Sequence, residues 1–139
     1  NAVATFFRSK NIFTYMSLGY TKVATVAITT FIPWIIAVAG LSGAAAFSRS
    51  VFIGVHYLMD VALFAIAFSI YFRGHPKANP FEVSAIAMVS FTVFEVVYFK
   101  YFYVGDLWFL TYVDWILPAF LIASTIYWVG KITKQKSLH

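Results

Sequence analysis

Val51-Phe52-Ile53-Gly54-Val55-His56-Tyr57-Leu58-Met59-Asp60-Val61-Ala62-Leu63-Phe64-Ala65-Ile66-Ala67-Phe68-Ser69-Ile70-Tyr71-Phe72 is an apolar run interrupted by one histidine, one aspartate and one serine. At a rise of ~1.5 Å per residue a helix of this length covers the ~30 Å hydrocarbon core of a bilayer. His56 and Asp60 are four apart, so a helix stacks them on one face. An ionisable pair inside a membrane span is costly, and such pairs mark functional sites by default. This stretch therefore sets both the class of the protein and the first place to look for its chemistry.

Working outward, Ser48 to Ser50 form a polar turn, and before it residues 23–47 are apolar apart from small hydroxyls. Pro33 should bend that span, and Ala39-x3-Gly43 with Gly40-x3-Ala44 offers small-residue surfaces for close helix contact. After Phe72, Arg73-Gly74-His75-Pro76-Lys77-Ala78-Asn79 reads as a loop. Asn79-Pro80-x-Glu82 then reads as a helix start, with an N-cap, proline at the first helical position and an acid in the first turn. The spacing predicts spans over about 23–47, 51–72, 80–103 and 107–130, the last capped by Asp106 and bent at Pro118. Residues 1–22 read as an interfacial lead-in, and 131–139 as a basic tail. The fold class expected is an all-α integral membrane protein, multi-pass, with four transmembrane helices in a bundle.

Composition agrees. The chain is 62% hydrophobic and 11% charged over 139 residues, against roughly 25% charged in an ordinary globular domain. With no cysteine, disulfides and thiolate metal sites are excluded. The net charge of +5 does not point to nucleic acid, because the basic residues sit at segment ends rather than along a stripe. Eight of the ten Lys and Arg fall in the lead-in (Arg8, Lys10, Lys22), the middle loop (Arg73, Lys77) and the tail (Lys131, Lys134, Lys136). The positive-inside rule then makes both termini cytoplasmic and turns the two short connections outward. Residues 1–9 lack an apolar core behind a basic start, so no cleavable signal peptide is expected. Tyr98, Tyr101, Tyr103 and Trp108 at the outer end, and Tyr127 and Trp128 at the inner, suit interfacial belts. Trp34 and Trp115 fall within spans and are expected to pack.

Counting inward at ~1.5 Å per residue, His56 lies about 10 Å, Asp60 about 16 Å, and Glu95 and Asp114 about 12 Å below the outer end. Three spans thus place ionisable groups at similar depth, with Arg49 and Lys100 above them. Facing lipid, each carboxylate would cost several kcal/mol, so they are expected to converge on an outward-opening polar pocket. His56, Asp60, Glu95 and Asp114 are the candidate binding or relay residues. Two readings stay open: interhelical hydrogen bonds that fix the packing, or sites for a proton, cation or small ligand. Their spacing matches no specific metal motif, and no metal or cofactor is assigned.

Ser48-Arg49-x5-His56-x3-Asp60, with the local Gly54-Val55-His56-Tyr57 and Asp60-Val61, resembles the third signature of the PAP2 family of membrane lipid-phosphate phosphatases. The resemblance implies His56 as nucleophile, Asp60 as the residue orienting it and Arg49 as phosphate ligand. It covers one hairpin, roughly 23–72. The family's Lys-x6-Arg-Pro and Pro-Ser-Gly-His signatures do not occur.

The leading functional expectation is a small non-enzymatic membrane protein. It would work as a homo-oligomer or as a subunit of a larger membrane complex in the lipid bilayer, because four spans rarely enclose a pathway alone. Its outward pocket would pass or bind a proton, cation or small ligand. A lipid-phosphate phosphatase and a purely structural subunit are the alternatives.

Overall fold

The computed structural model describes residues 2–44, 47–105 and 111–136. The expected cap Asp106, the start of the fourth span at 107, Trp108, the end of the tail, and the side chains of residues 1–18 lie outside the described residues.

Four helices account for nearly all of the described chain, which contains no strand: α1 (Ala2–Ala44), α2 (Arg49–Gly74), α3 (Pro80–Tyr101) and α4 (Leu117–Lys136). All are long and apolar enough to cross a membrane, over Gly19–Gly43, Arg49–Gly74, Pro80–Tyr101 and Tyr112–Lys136. Only 17–28% of each apolar window is buried, leaving apolar outer faces such as Ile28, Ile66, Val89 and Phe120 uncovered. Such faces suit hydrocarbon and would be untenable in water. The backbone of α1 runs without interruption through the expected lead-in and across Pro33. At 43 residues it is about 64 Å long, twice the length needed for one crossing.

The start of α3 follows its sequence. Asn79 caps the helix by accepting from Phe81 N–H at 3.0 Å, Pro80 sits where no backbone donor is needed, and Glu82 occupies the first turn. Glu82 also meets Lys22 of α1 at 2.5 Å, which ties α1 and α3 side by side at this end.

The helices form a ring in which α1 packs on α2 and α3, and α4 packs on α2 and α3. α1 lies parallel to α3, and α2 parallel to α4. The α1–α2 and α3–α4 connections therefore share one end of the bundle, opposite the α2–α3 loop.

The interior is written as residues four apart. α2 buries Asp60, Phe64, Phe68 and Phe72; α3 buries Val83, Ala87, Phe91 and Glu95; α4 buries Pro118, Ile122, Ile126 and Gly130 in line with Asp114. Each stripe is apolar over most of its length and becomes ionisable toward the end with two connections. Association in lipid rests on close packing and hydrogen bonds rather than on a hydrophobic drive, and small residues matter accordingly. Gly130 lets the Phe72 ring and Pro80 lie against the α4 backbone. Of the expected small-residue surfaces, Gly40 lies against Met59 of α2, whereas Gly43 faces open space.

Candidate functional site: a carboxylate-lined, aromatic cavity

α4 is entered through a π-helical turn, Tyr112–Ile116, in which Leu117 N–H bonds to Tyr112 O. Pro118, with no N–H, cannot bond to Asp114 O, and its ring would crowd that carbonyl in an α-helix. The wider turn relieves the conflict, and such turns recur at functional sites. Thr111 caps the turn in both directions: its hydroxyl accepts from Asp114 N–H at 3.2 Å and donates to Asp114 Oδ2 at 2.5 Å. Arg49, at the first position of α2, reaches the same oxygen at 2.5 Å. Asp114 is almost wholly buried (side chain 1% exposed) while Arg49 is 48% exposed, so the pair closes the polar end of the interior from above. Tyr57 adds a second tie between α2 and this turn, donating its hydroxyl to Val113 O at 2.6 Å.

Glu95, 8% exposed, accepts the indole N–H of Trp34 at 2.6 Å. His56 and Asp60 stand with Nε2 and Oδ2 3.2 Å apart, yet Asp60 Oδ2 has no hydrogen-bond partner, nor has His56 Nδ1. The approach is therefore one of distance without hydrogen-bond alignment.

His56, Glu95 and Asp114, from α2, α3 and the turn before α4, line a single cavity of about 260 Å³. Asp60 lies one helical turn deeper and does not line it. The walls are aromatic: Phe91, Tyr98, Phe99, Tyr103 and Trp115 face the space. Three buried polar atoms on cavity-lining residues have no hydrogen-bond partner, His56 Nδ1, Asp114 Oδ1 and Trp115 Nε1. Trp115, expected only to pack, is thus a wall of the site. Trp34 is both buried in the core cluster and the donor that fixes Glu95. Lys100 does not join the acids; its Nζ lies 5.3 Å from the Tyr101 ring centroid. Among the described residues no three His, Asp or Glu side chains gather as a metal-ligand set, and the ionisable groups are spread around a space rather than closed on a point.

The resemblance-implied phosphate ligand, Arg49, has its guanidinium engaged with Asp114. The nitrogen of His56 turned away from Asp60, Nδ1, is buried.

No family model matches the chain, and neither a curated protein nor a solved structure shows significant similarity to it.

Proposed function

We propose that this is a non-enzymatic multi-pass membrane protein whose cavity, outward-facing by the placement of its Lys and Arg, binds a small organic cation, with protons as the competing occupant. The observation that carries this is the lining of the cavity: two acids, Glu95 and Asp114, face it with one guanidinium, Arg49, held by Asp114, and Asp114 Oδ1 is left without a partner. A cation is the occupant that relieves this imbalance. Aromatic walls favour an ammonium with an apolar body, because ring faces attract cations most strongly where water is excluded. A volume of about 260 Å³, just below the ~300–1,000 Å³ typical of binding pockets, suits a small ligand. The protein would act within a homo-oligomer or a larger membrane complex, whose neighbours supply the outer wall of any pathway.

The test is a titration of the protein in zwitterionic nanodiscs with benzyltrimethylammonium, read by tryptophan fluorescence, since Trp115 lines the cavity. Saturable binding is expected, weakened at least tenfold by Glu95→Gln and by lowering the pH. Binding that is absent, or indifferent to Glu95→Gln, overturns the reading. So does turnover of a lipid phosphate that vanishes in His56→Ala, which would make the protein an enzyme.

A further inference from the structure

The end of the bundle opposite the cavity carries a second polar space. Between the last turns of α2 and α4 lies a groove of about 460 Å³, with Arg73, Lys134 and Lys136 among its lining residues. Two hydroxyls, Ser69 and Thr133, also line it, and the lining contains no acid. Glu82, an acid near this end, is held by Lys22 on the α1–α3 side. The wall between the cations is apolar, formed by Phe72, Val129 and Ile132. Phe72 is the buried floor, whereas Ile132 is 53% exposed on the outer face that suits hydrocarbon.

This combination has a specific chemistry. Guanidinium and ammonium groups with hydroxyl donors bind phosphate oxygens. An apolar wall running from the cations toward the lipid-facing surface adds nothing for free phosphate, but it accommodates a glycerol backbone and the first part of an acyl chain. Cations at the ends of two membrane-spanning helices also stand at headgroup level. The parallel run of α2 and α4 makes the groove: both helices end side by side, and Gly130 lets the Phe72 ring close the space beneath. We propose that the groove between the ends of α2 and α4 binds the phosphate headgroup of an anionic phospholipid.

The site is tested with the purified full chain in detergent by native mass spectrometry and thermal unfolding. Dioleoylphosphatidylglycerol, dioleoylphosphatidylcholine and inorganic phosphate are added separately. Phosphatidylglycerol should remain bound and raise the unfolding temperature; the other two should do neither at matched concentration. Arg73→Gln with Lys134→Gln should weaken phosphatidylglycerol binding at least tenfold. Lys77→Gln with Lys131→Gln removes the same charge at the same end but outside the groove, and should weaken it by less than twofold. Equal losses in the two variants reduce the effect to general surface charge and overturn the site. Inorganic phosphate competing as well as the lipid overturns the lipid as occupant. Should the first variant fail to fold, the single variants Arg73→Gln and Lys134→Gln are compared with Lys77→Gln and Lys131→Gln, equal losses again overturning the site, as does a parent chain that holds phosphatidylcholine as well as phosphatidylglycerol.

Discussion

Trp34 on α1 donates its indole N–H to Glu95 on α3 at 2.6 Å, across 61 positions of sequence. Both are buried, and the bond fixes the carboxyl that faces the cavity. Trp34→Phe keeps an aromatic ring against Phe31, Phe94 and Tyr98 and removes the donor together with part of the ring volume. The expected loss is about 1–2 kcal/mol, above the ~0.6 kcal/mol average for interhelical bonds in lipid because a buried carboxyl loses its partner. Glu95→Gln retains an acceptor for the indole and should cost less. Unfolding in bicelles measures both; equal effects would show that Trp34 acts through its volume alone.

Arg49 and Asp114 are unequal partners, one half-exposed and the other buried. Arg49→Ala leaves the Asp114 carboxylate inside without its counter-charge. Removing one member of a fully buried pair costs 3–5 kcal/mol. Solvent at Arg49 lowers that to about 1–3 kcal/mol. Asp114→Asn leaves no uncompensated charge inside and should cost less than Arg49→Ala. Thr111→Ala removes the cap of the π-helical turn and should cost about 1 kcal/mol. Thermal unfolding of the three variants should rank Arg49→Ala as the most damaging; if Asp114→Asn is worse, the pair is not what holds α2 to this turn.

The two glycines Gly130 and Gly54 separate packing from propensity. A methyl at Gly130 would approach the Phe72 ring to 2.6 Å and Pro80 Cβ to 2.8 Å, whereas one at Gly54 meets nothing within 4 Å. Gly130→Ala is expected to destabilise by about 1–3 kcal/mol through forced repacking. Gly54→Ala should stabilise by roughly 0.5–1 kcal/mol through helix propensity. Opposite signs in the same unfolding assay are required for the packing of α2 on α4 to stand as described.

The sequence makes the four helices plain, because length and hydropathy alone define them and Asn79-Pro80 marks a start by local chemistry. The buried ionisable residues are also visible, since a charge within an apolar run has no other explanation than burial or function. The stripe of every fourth residue could have gone further: extending Phe72, Phe68 and Phe64 backwards reaches Asp60 and His56, and extending Gly130, Ile126 and Ile122 backwards reaches Pro118 and Asp114. What sequence could not supply was adjacency. Nothing local tells that α4 packs beside α2, so the pairing of Arg49 with Asp114, 65 positions apart, is invisible until the ring order is known. That Trp115 lines the cavity is not legible in the sequence, because an aromatic in an apolar span serves lipid, core or cavity with the same letters. Its one signal is its place beside Asp114, one turn before Pro118, where a proline forces the helix to widen.

The orientation of the bundle decides whether the cavity and the groove meet the compartments proposed for them. The chain has no cysteine, so single cysteines report sidedness cleanly. Val104, 97% exposed, lies in the α3–α4 connection at the cavity end, and Lys77 lies in the exposed α2–α3 loop at the other. Under the positive-inside rule, Val104→Cys in intact cells should react with a membrane-impermeant maleimide, and Lys77→Cys should react only after permeabilisation. Neither substitution touches a core residue, so the fold should tolerate both. The reverse pattern would turn the carboxylate cavity toward the cytoplasm and put the basic groove outside. The groove's proposed lipid would then have to come from the outer leaflet, and any cation bound in the cavity would come from the cell interior. Both sites labelling from outside would mean that the bundle does not span the bilayer as four crossings, since the loop and the connection are separated by the whole length of α3.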